Sequence, residues 1–355
     1  MPLVRLEVEQ FRCLAGVELA LDPAYNLFVG PNASGKTSLL EAVFLLGRGR
    51  SFRTRRLDRL IRQGESAFRV VGWVEQAGLT TVIGIGGDRR STEIRIAGAP
   101  AGSAADLATH FPPQIIDPEI HKLLEEGPHR RRRFLDWGVF HVEHAFMDTW
   151  SRYHRVLRQR NAALKAGLEA DAARAWEPEL LTTGLRLAEM RRGYLGLLAP
   201  VLRLFGQRLL GEDVTVSYHA GWAAEESLAT ALSRSFERDR RYGVTHLGPH
   251  RADVSVRVGG HLAKERVSRG QQKLVAAALT LAQLTLQEAR SPGRSALLLD
   301  DPAAELDADH LGRLLEVVRG LAVQLFVTAL RPDLPGLGAP GALFHVEHGR
   351  IRPSA

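Results

Sequence analysis

Cysteine is the residue this sequence has least of: Cys13 stands alone among 355 residues. An internal disulfide is excluded, and a single thiol is a poor foundation for a zinc site. Long hydrophobic runs are missing too, since none reaches the ~18 residues of a membrane span. The opening stretch, MPLVRLEVEQFRCLAGVELALD, alternates apolar and polar residues like a strand pair, so it does not read as a secretion signal. A cytoplasmic protein with no membrane association is the expectation. A disordered signature is absent as well, because 45% hydrophobic and 25% charged residues over this length suffice for a real core, in two domains or one large one. Acidic residues are in deficit, 40 against 47 lysines and arginines, which leaves a net charge of +7. That balance favours an acidic partner, nucleic acid ahead of a membrane surface, but does not decide it alone.

Glycine is abundant, and where it clusters it carries chemistry. In NLFVGPNASGKTSLLEAVFLLG two apolar pieces flank a turn, and the second has helical periodicity closed by Gly47. Inside lies the pattern G-x-x-x-x-G-K-[ST], filled by Gly30, Gly35, Lys36 and Thr37. The glycines let backbone N–H groups curl around a phosphate, the lysine reaches the terminal phosphates, and the threonine hydroxyl ligates Mg²⁺. Chance occurrence in a chain of this composition is about 0.004. A triphosphate site also needs a carboxylate to hold the magnesium. SALLLDDPAAELD supplies one, a buried-strand run ending in Asp300 and Asp301. At a strand's carboxyl end beside the loop, Asp300 holds the metal through water and Asp301 polarises the attacking water. About 264 residues separate Lys36 from Asp300, so something sizeable is inserted between the two halves.

A second helix start raises its own question. In ERVSRGQQKL, Ser268 is an ordinary N-cap, but Gly270 costs the helix about 1 kcal/mol relative to alanine. The nucleotide's phosphates already have a helix N-terminus, the one after Lys36. The expectation is that Ser268, Gly270 and their amides meet ATP bound to another copy of the chain, with glycine permitting close approach.

The phosphate loop, a Ser-x-Gly-Gln helix start, an aspartate pair and then ELD, in that order, resemble the ABC-type ATPase head of SMC proteins and Rad50. FRCLAGVEL, GPNASGKTSLLEAVFLLGRGRSFRT, GPHRRRRFLDWGVFHVE, RQRNAALK, FERDRRYGVTHLGPHRAD, SRGQQK and DDPAAELD, in order from about residue 8 to residue 307, resemble the RecF family of bacterial recombination mediators. The resemblance implies an α/β fold: an ABC-type ATPase head, with a mixed sheet carrying the phosphate loop plus an antiparallel meander, and an inserted helical lobe. It implies an ATP-dependent homodimer that binds DNA at gaps and helps load RecA together with RecR and RecO. Slow ATP hydrolysis releases it.

Carried over residue by residue, the Walker A loop is Gly30, Asn32, Ala33, Ser34, Gly35, Lys36, Thr37 and Ser38. Asp300 is the Walker B aspartate and Asp301 the catalytic acid. Ser268, Gly270 and Gln271 belong to the signature motif, and Glu305, Leu306 and Asp307 to a dimer-facing loop. Gln114, in FPPQIID, is the candidate nucleotide and magnesium ligand of the Q-loop, and Arg12 a nucleotide-contacting arginine. Two departures stand out from the wider ABC pattern. Asp301 occupies the usual glutamate position, which implies slow hydrolysis. Thr328 stands where transporters carry a switch histidine.

AFRVVGWVEQAGLTTVIGIGG and STEIRIAGAP read as the meander, and ADVSVRVGGHLAKE as a hairpin turning at Gly259 and Gly260. The expected partition is a discontinuous head, residues 1–117 and 213–355, with a helical lobe at 118–212. Arg130, Arg131, Arg132 and Arg133, then Arg152, Arg155, Arg158 and Arg160, partly share helix faces suited to tracking phosphates, and Arg238, Arg240 and Arg241 extend the set. A solvated face explains them equally well. No aromatics interleave, so stacking-based recognition is not expected. FHVEH occurs twice, at residues 140–144 and 344–348, in the wrong order for a zinc helix. The alternative function is an ABC-type ATPase coupled to a membrane or other protein partner. That would want a switch histidine and a shorter insert. A kinase would want an acceptor pocket that no motif here supplies.

Overall fold

The computed structural model describes residues 2–354 apart from Arg294, Glu305 and Pro335. Glu305 of the expected dimer-facing loop therefore lies outside the described residues. The chain forms two compact units, residues 1–120 with 291–355, and residues 121–290.

The first unit is built on two six-stranded sheets. One has the order Arg350–Pro353, Ala342–Glu347, Tyr25–Val29, Gln324–Ala329, Ala296–Asp300, Pro113–Ile116. Its strands are parallel except for the antiparallel edge Arg350–Pro353. ALLLD and QLFVTA are buried along their whole length, as continuous apolar runs in a parallel sheet covered on both faces should be. The second sheet is the expected meander, ordered Leu14–Ala20, Leu3–Phe11, Ala67–Gln76, Leu79–Asp88, Thr92–Ile96, Ala99–Pro100, and antiparallel throughout. The helix Lys36–Arg48 joins the two sheets in one core. Its Leu39, Leu40, Val43 and Leu46 cluster with Leu6, Val70 and Ile83 of the meander and with Leu298, Phe326 and Phe344 of the parallel sheet.

The helix does not end at Gly47. Gly49 closes it in the left-handed region at φ 61°. Gly47 is a packing glycine, since a Cβ there would lie 1.9 Å from the carbonyl oxygen of Phe111.

The second unit holds the helices Pro128–Val142, Phe146–Lys165, Glu177–Leu210, Leu228–Tyr242 and Arg269–Arg290, with a small antiparallel sheet of Val214–His219, Asp253–Val258 and His261–Leu262. The hairpin at Gly259 and Gly260 is present, with both φ values positive. By packing, residues 213–290 group with the helices of this unit. Arg269–Arg290 lies along Glu177–Leu210 and Pro128–Val142, and Val214–His219 packs on Glu177–Leu210.

The interior of this unit is unusually ionic. Arg160 and Asp239 are both fully buried, 2.9 Å apart. Arg160 also donates to Thr245 Oγ1 and to Glu177. Arg191 forms a two-pronged pair with Asp136 and donates to the carbonyl of Pro249. His250 Nε2 lies 2.8 Å from the carbonyl of Thr245, so that nitrogen carries the proton and Nδ1 accepts from Tyr153 Oη at 2.8 Å.

Burial pushes His250 down to about 4, and His154, beside Trp150, down to about 4 as well. The unfolded chain then takes up these protons first, near an ordinary histidine value of about 6.5. The two histidines' contribution to stability is complete above about pH 6.5 and is lost as pH drops from there to about 4, roughly 3 kcal/mol for His250 alone. Melting temperatures measured across this window should decline for the wild type and decline less for His250→Gln. A wild-type profile flat between pH 7 and pH 5 would contradict this.

Candidate functional site

Three parallel strands end side by side, and the site lies just beyond their carboxyl ends. Val29 pairs with Ala329, and Thr328 with Asp300, so the loop after Val29 is set beside the aspartate pair although they are distant in sequence. Gly30 N donates to Ala329 O at 3.2 Å, and a Cβ on Gly30 would meet the Val346 carbonyl oxygen at 2.1 Å. The first motif glycine is thus required by the sheet itself. Ala33 at φ 62° and Gly35 at φ 117° both have positive φ, a backbone conformation that recurs in the concavities that bind anions. Gly35 caps the helix with no side chain over its N-terminus. Pro31, Asn32 and Ala33 are exposed, Ser34 is buried, and Ser34 Oγ has no hydrogen-bond partner among the described residues.

Lys36 is 6% exposed, and its Nζ donates to the carbonyls of Gly30 at 2.7 Å and Pro31 at 2.9 Å. Burial lowers its pKa, while the charges of Asp301 and Asp300 pull it back up. Thr37 Oγ1 donates to Asp300 Oδ1 at 3.0 Å, which brings together the hydroxyl and carboxylate that a magnesium ion would use. Burial raises Asp300, against hydrogen bonds from Thr328 and Thr37 that lower it. Thr328 is fully buried, donates to Asp300 Oδ1 at 2.8 Å and accepts from Asp301 N at 2.9 Å. It clamps the aspartate pair, with Asp301 held at φ 47°. A buried amine, a loop with two residues at positive φ, an orphaned hydroxyl and a hydroxyl–carboxylate pair fit a nucleoside triphosphate with magnesium. Lys36 and the loop amides would hold phosphates, and Thr37 and Asp300 the metal.

Other expected residues are placed differently. Arg12 reaches this helix, but its guanidinium makes a two-pronged pair with the fully buried Glu41, one turn after Thr37, at 2.8 and 2.6 Å. Ser38 Oγ accepts from Cys13 Sγ at 3.6 Å. Gln114 is set three residues back from the Asp300 edge of the sheet. It is the second residue of its strand, in register with Leu297 rather than Asp300, and its Oε1 accepts from Arg48 at the far end of the helix. Lys36 and Arg48 are twelve residues apart, about 18 Å along the axis. The strand starts at Pro113, so Gln114 lies near its beginning and Asp117 lies beyond its carboxyl end.

Ser268 opens the helix Arg269–Arg290 with a reciprocal cap. Its Oγ accepts from Gln271 N, and Gln271 Oε1 accepts from Ser268 N. A Cβ on Gly270 would meet nothing within 4 Å, and its φ is not positive, so neither packing nor conformation demands glycine there. Asp307 caps Ala308–Arg319 through His310 N.

Of the arginines expected to track phosphates, Arg160 is buried, Arg131 pairs with Asp253, Arg132 donates to Ala252 O, and Arg152 pairs with Glu179. Arg155 and Arg158 are exposed. No cluster of three or more metal-ligating side chains forms among the described residues, at FHVEH or elsewhere. No helix among them is long and apolar enough to cross a membrane.

Comparison with known proteins agrees with this geometry. Residues 2–338 match the family model described as the RecF/RecN/SMC N terminal domain. The DNA replication and repair protein RecF of Pseudomonas fluorescens is 44% identical over 99% of this chain and 98% of its own. The Pseudomonas aeruginosa protein of the same name is 42% identical, over 99% and 97%. A solved recombination mediator protein RecF with ATP superimposes with a TM-score of 0.90 at 28% identity, covering 100% of this chain and 98% of that one. An SMC head bound to the winged-helix domain of ScpA shares the fold, with a TM-score of 0.60 at 15% identity.

Proposed function

The chain belongs to the RecF family of SMC-type ATPases that act in recombinational repair, and from that premise we propose that it is an ATP-driven DNA clamp. ATP with Mg²⁺ is held by Gly30, Asn32, Ala33, Ser34, Gly35, Lys36, Thr37 and Ser38, with Asp300 at the metal, Asp301 as the acid that orients water, and Arg12 at the nucleotide's edge. Bound ATP supplies the negative terminal phosphate that a second copy can recognise. In the homodimer, Ser268, Gly270 and Gln271 of the partner copy cover that phosphate. The ATPase head comprises residues 1–117 and 213–355, and residues 118–212 form the inserted lobe. The signature helix serves the head even though it packs among the helices of the second unit.

The closed dimer grips double-stranded DNA at gaps or junctions in the cytoplasm and, through RecR and RecO, helps load RecA. Weak, DNA-stimulated hydrolysis reopens it, in keeping with the short Asp301. The observation that carries this reading is the joining of Thr37 and Asp300 beside the buried Lys36, 263 residues of sequence closed into one phosphate site. A nucleotide switch needs such a site, and so would an ATPase coupled to a membrane or other protein partner.

Lys36→Arg tests it. The longer, planar cation keeps the charge and misplaces it. ATP binding and ATP-dependent dimerisation should persist while turnover falls by about 10²-fold or more. Equilibrium nucleotide binding and steady-state hydrolysis on the same preparation decide this. A variant that no longer binds ATP at all contradicts the role assigned to Lys36.

A further inference from the structure

The segment of residues 50–62 that follows the phosphate-loop helix is the most strongly basic stretch not yet assigned. It holds six arginines, no lysine and one acid, Asp58, within a chain whose net charge is only +7. We propose that its exposed arginines, Arg50, Arg55 and Arg59, form a phosphate-tracking surface for duplex DNA on the ATPase head. The inference rests on the DNA-binding reading above and names the surface that reading lacks.

The segment is built as a rigid support rather than a free tail. Ser51 Oγ donates to the buried Glu41 and accepts from Arg53 N at 2.9 Å and Thr54 N at 3.0 Å. Arg53 adds a longer ion pair to Glu41 at 3.8 Å. Phe52 packs edge-on against Phe44 of the same helix, with centroids 5.4 Å apart. At its other end Leu60 O accepts from Arg12 N, and Arg62 N donates to Gln10 O. One side of the segment is thus tied to the helix that begins at Lys36, and its other end to the strand leading into Arg12. Leu60 and Ile61 are buried, while Arg50, Arg55 and Arg59 are exposed and make no ion pair among the described residues.

A solvated charge run would need no such anchoring, and holding like charges together in one place is unfavourable without an anionic partner. Guanidinium forks match phosphate oxygens in pairs, which arginine does and lysine does not. The absence of interleaved exposed aromatics suits backbone contact to a duplex rather than stacking on single strands. The helical unit is a weaker candidate, because Arg131, Arg152 and Arg160 there are already paired.

The test is the salt dependence of duplex binding with Mg-ATP, from about 50 to about 200 mM salt. It compares the wild type with Arg50→Gln/Arg55→Gln/Arg59→Gln and with Arg155→Gln/Arg158→Gln, after nucleotide binding has shown each variant to be folded. The triple variant should flatten the slope of log K against log salt by about 2.7, or 0.9 for each lost contact, and lose at least about tenfold in affinity. An unchanged slope overturns the proposal, as does a loss falling on the Arg155 and Arg158 variant instead. If the triple variant loses binding to anionic phosphatidylserine vesicles but keeps its duplex slope, the patch belongs to a lipid surface and the proposal is likewise overturned. A wild type that fails to bind duplex at all removes the DNA reading itself, and this surface with it.

Discussion

Arg160→Met unfolds the second unit at denaturant concentrations the wild type withstands. Arg160 and Asp239 are both fully buried, so removing the guanidinium strands a carboxylate where water cannot reach it. Breaking one side of a buried pair in this way costs about 3–5 kcal/mol, a large part of a typical domain's stability. His246, 2.8 Å from the same carboxylate, and Ser235 remain as hydrogen-bond partners and soften the loss. Replacing both partners, Arg160→Met with Asp239→Leu, should recover much of it, because a matched apolar pair avoids the desolvation that the ions incur. Urea titration followed by tryptophan fluorescence reads this unit, since Trp137, Trp150, Trp176 and Trp222 all belong to it and only Trp73 does not. A midpoint unmoved by Arg160→Met would mean that the pair contributes nothing.

The phosphate loop was legible because its spacing is a local pattern, even though Gly30 is also required by the distant Val346 carbonyl. Gly30, Gly35, Lys36 and Thr37 act within one turn, and spacing alone encodes that. The strands around them were legible for the same reason, since a run such as ALLLD is apolar on both faces of a covered sheet. Long-range choices were not. The register of Gln114 with Leu297, three residues short of the Asp300 edge, is one such choice, since no residue in FPPQIID announces where the strand begins. Arg160 looked like one of a row of surface arginines, because its partner Asp239 lies 79 residues away.

The pentapeptide FHVEH makes the point twice over. Its first copy closes the helix Pro128–Val142, and its second lies in the strand Ala342–Glu347, so tertiary context overrides local preference. Glu41 did leave a signal that went unused: an acid inside LLEAVFLL cannot be buried without a cation, and Arg12 and Arg53 supply two.

The other large effect concerns the helix that opens at Ser268. Its cap is complete within the chain, and a methyl group on Gly270 would touch nothing. Gly270→Ala should therefore stabilise the free protein, by up to about 1 kcal/mol, while weakening ATP-dependent dimerisation by crowding the approach of a partner's phosphate. Ser268→Arg goes further. It removes a cap worth about 1 kcal/mol, which a helix whose Leu274, Leu281 and Leu284 are fully buried can lose without unfolding. It also places a long cation where the partner's nucleotide must dock, so dimerisation should vanish while nucleotide binding by the single chain survives.

The most direct test of the clamp is solution mass by sedimentation, with Mg-ATP against Mg-ADP, on the wild type and on Ser268→Arg. An ATP-driven clamp predicts that the wild-type mass doubles with ATP alone and that Ser268→Arg stays at the mass of one chain in both nucleotides. A wild-type mass that never responds to ATP would contradict it.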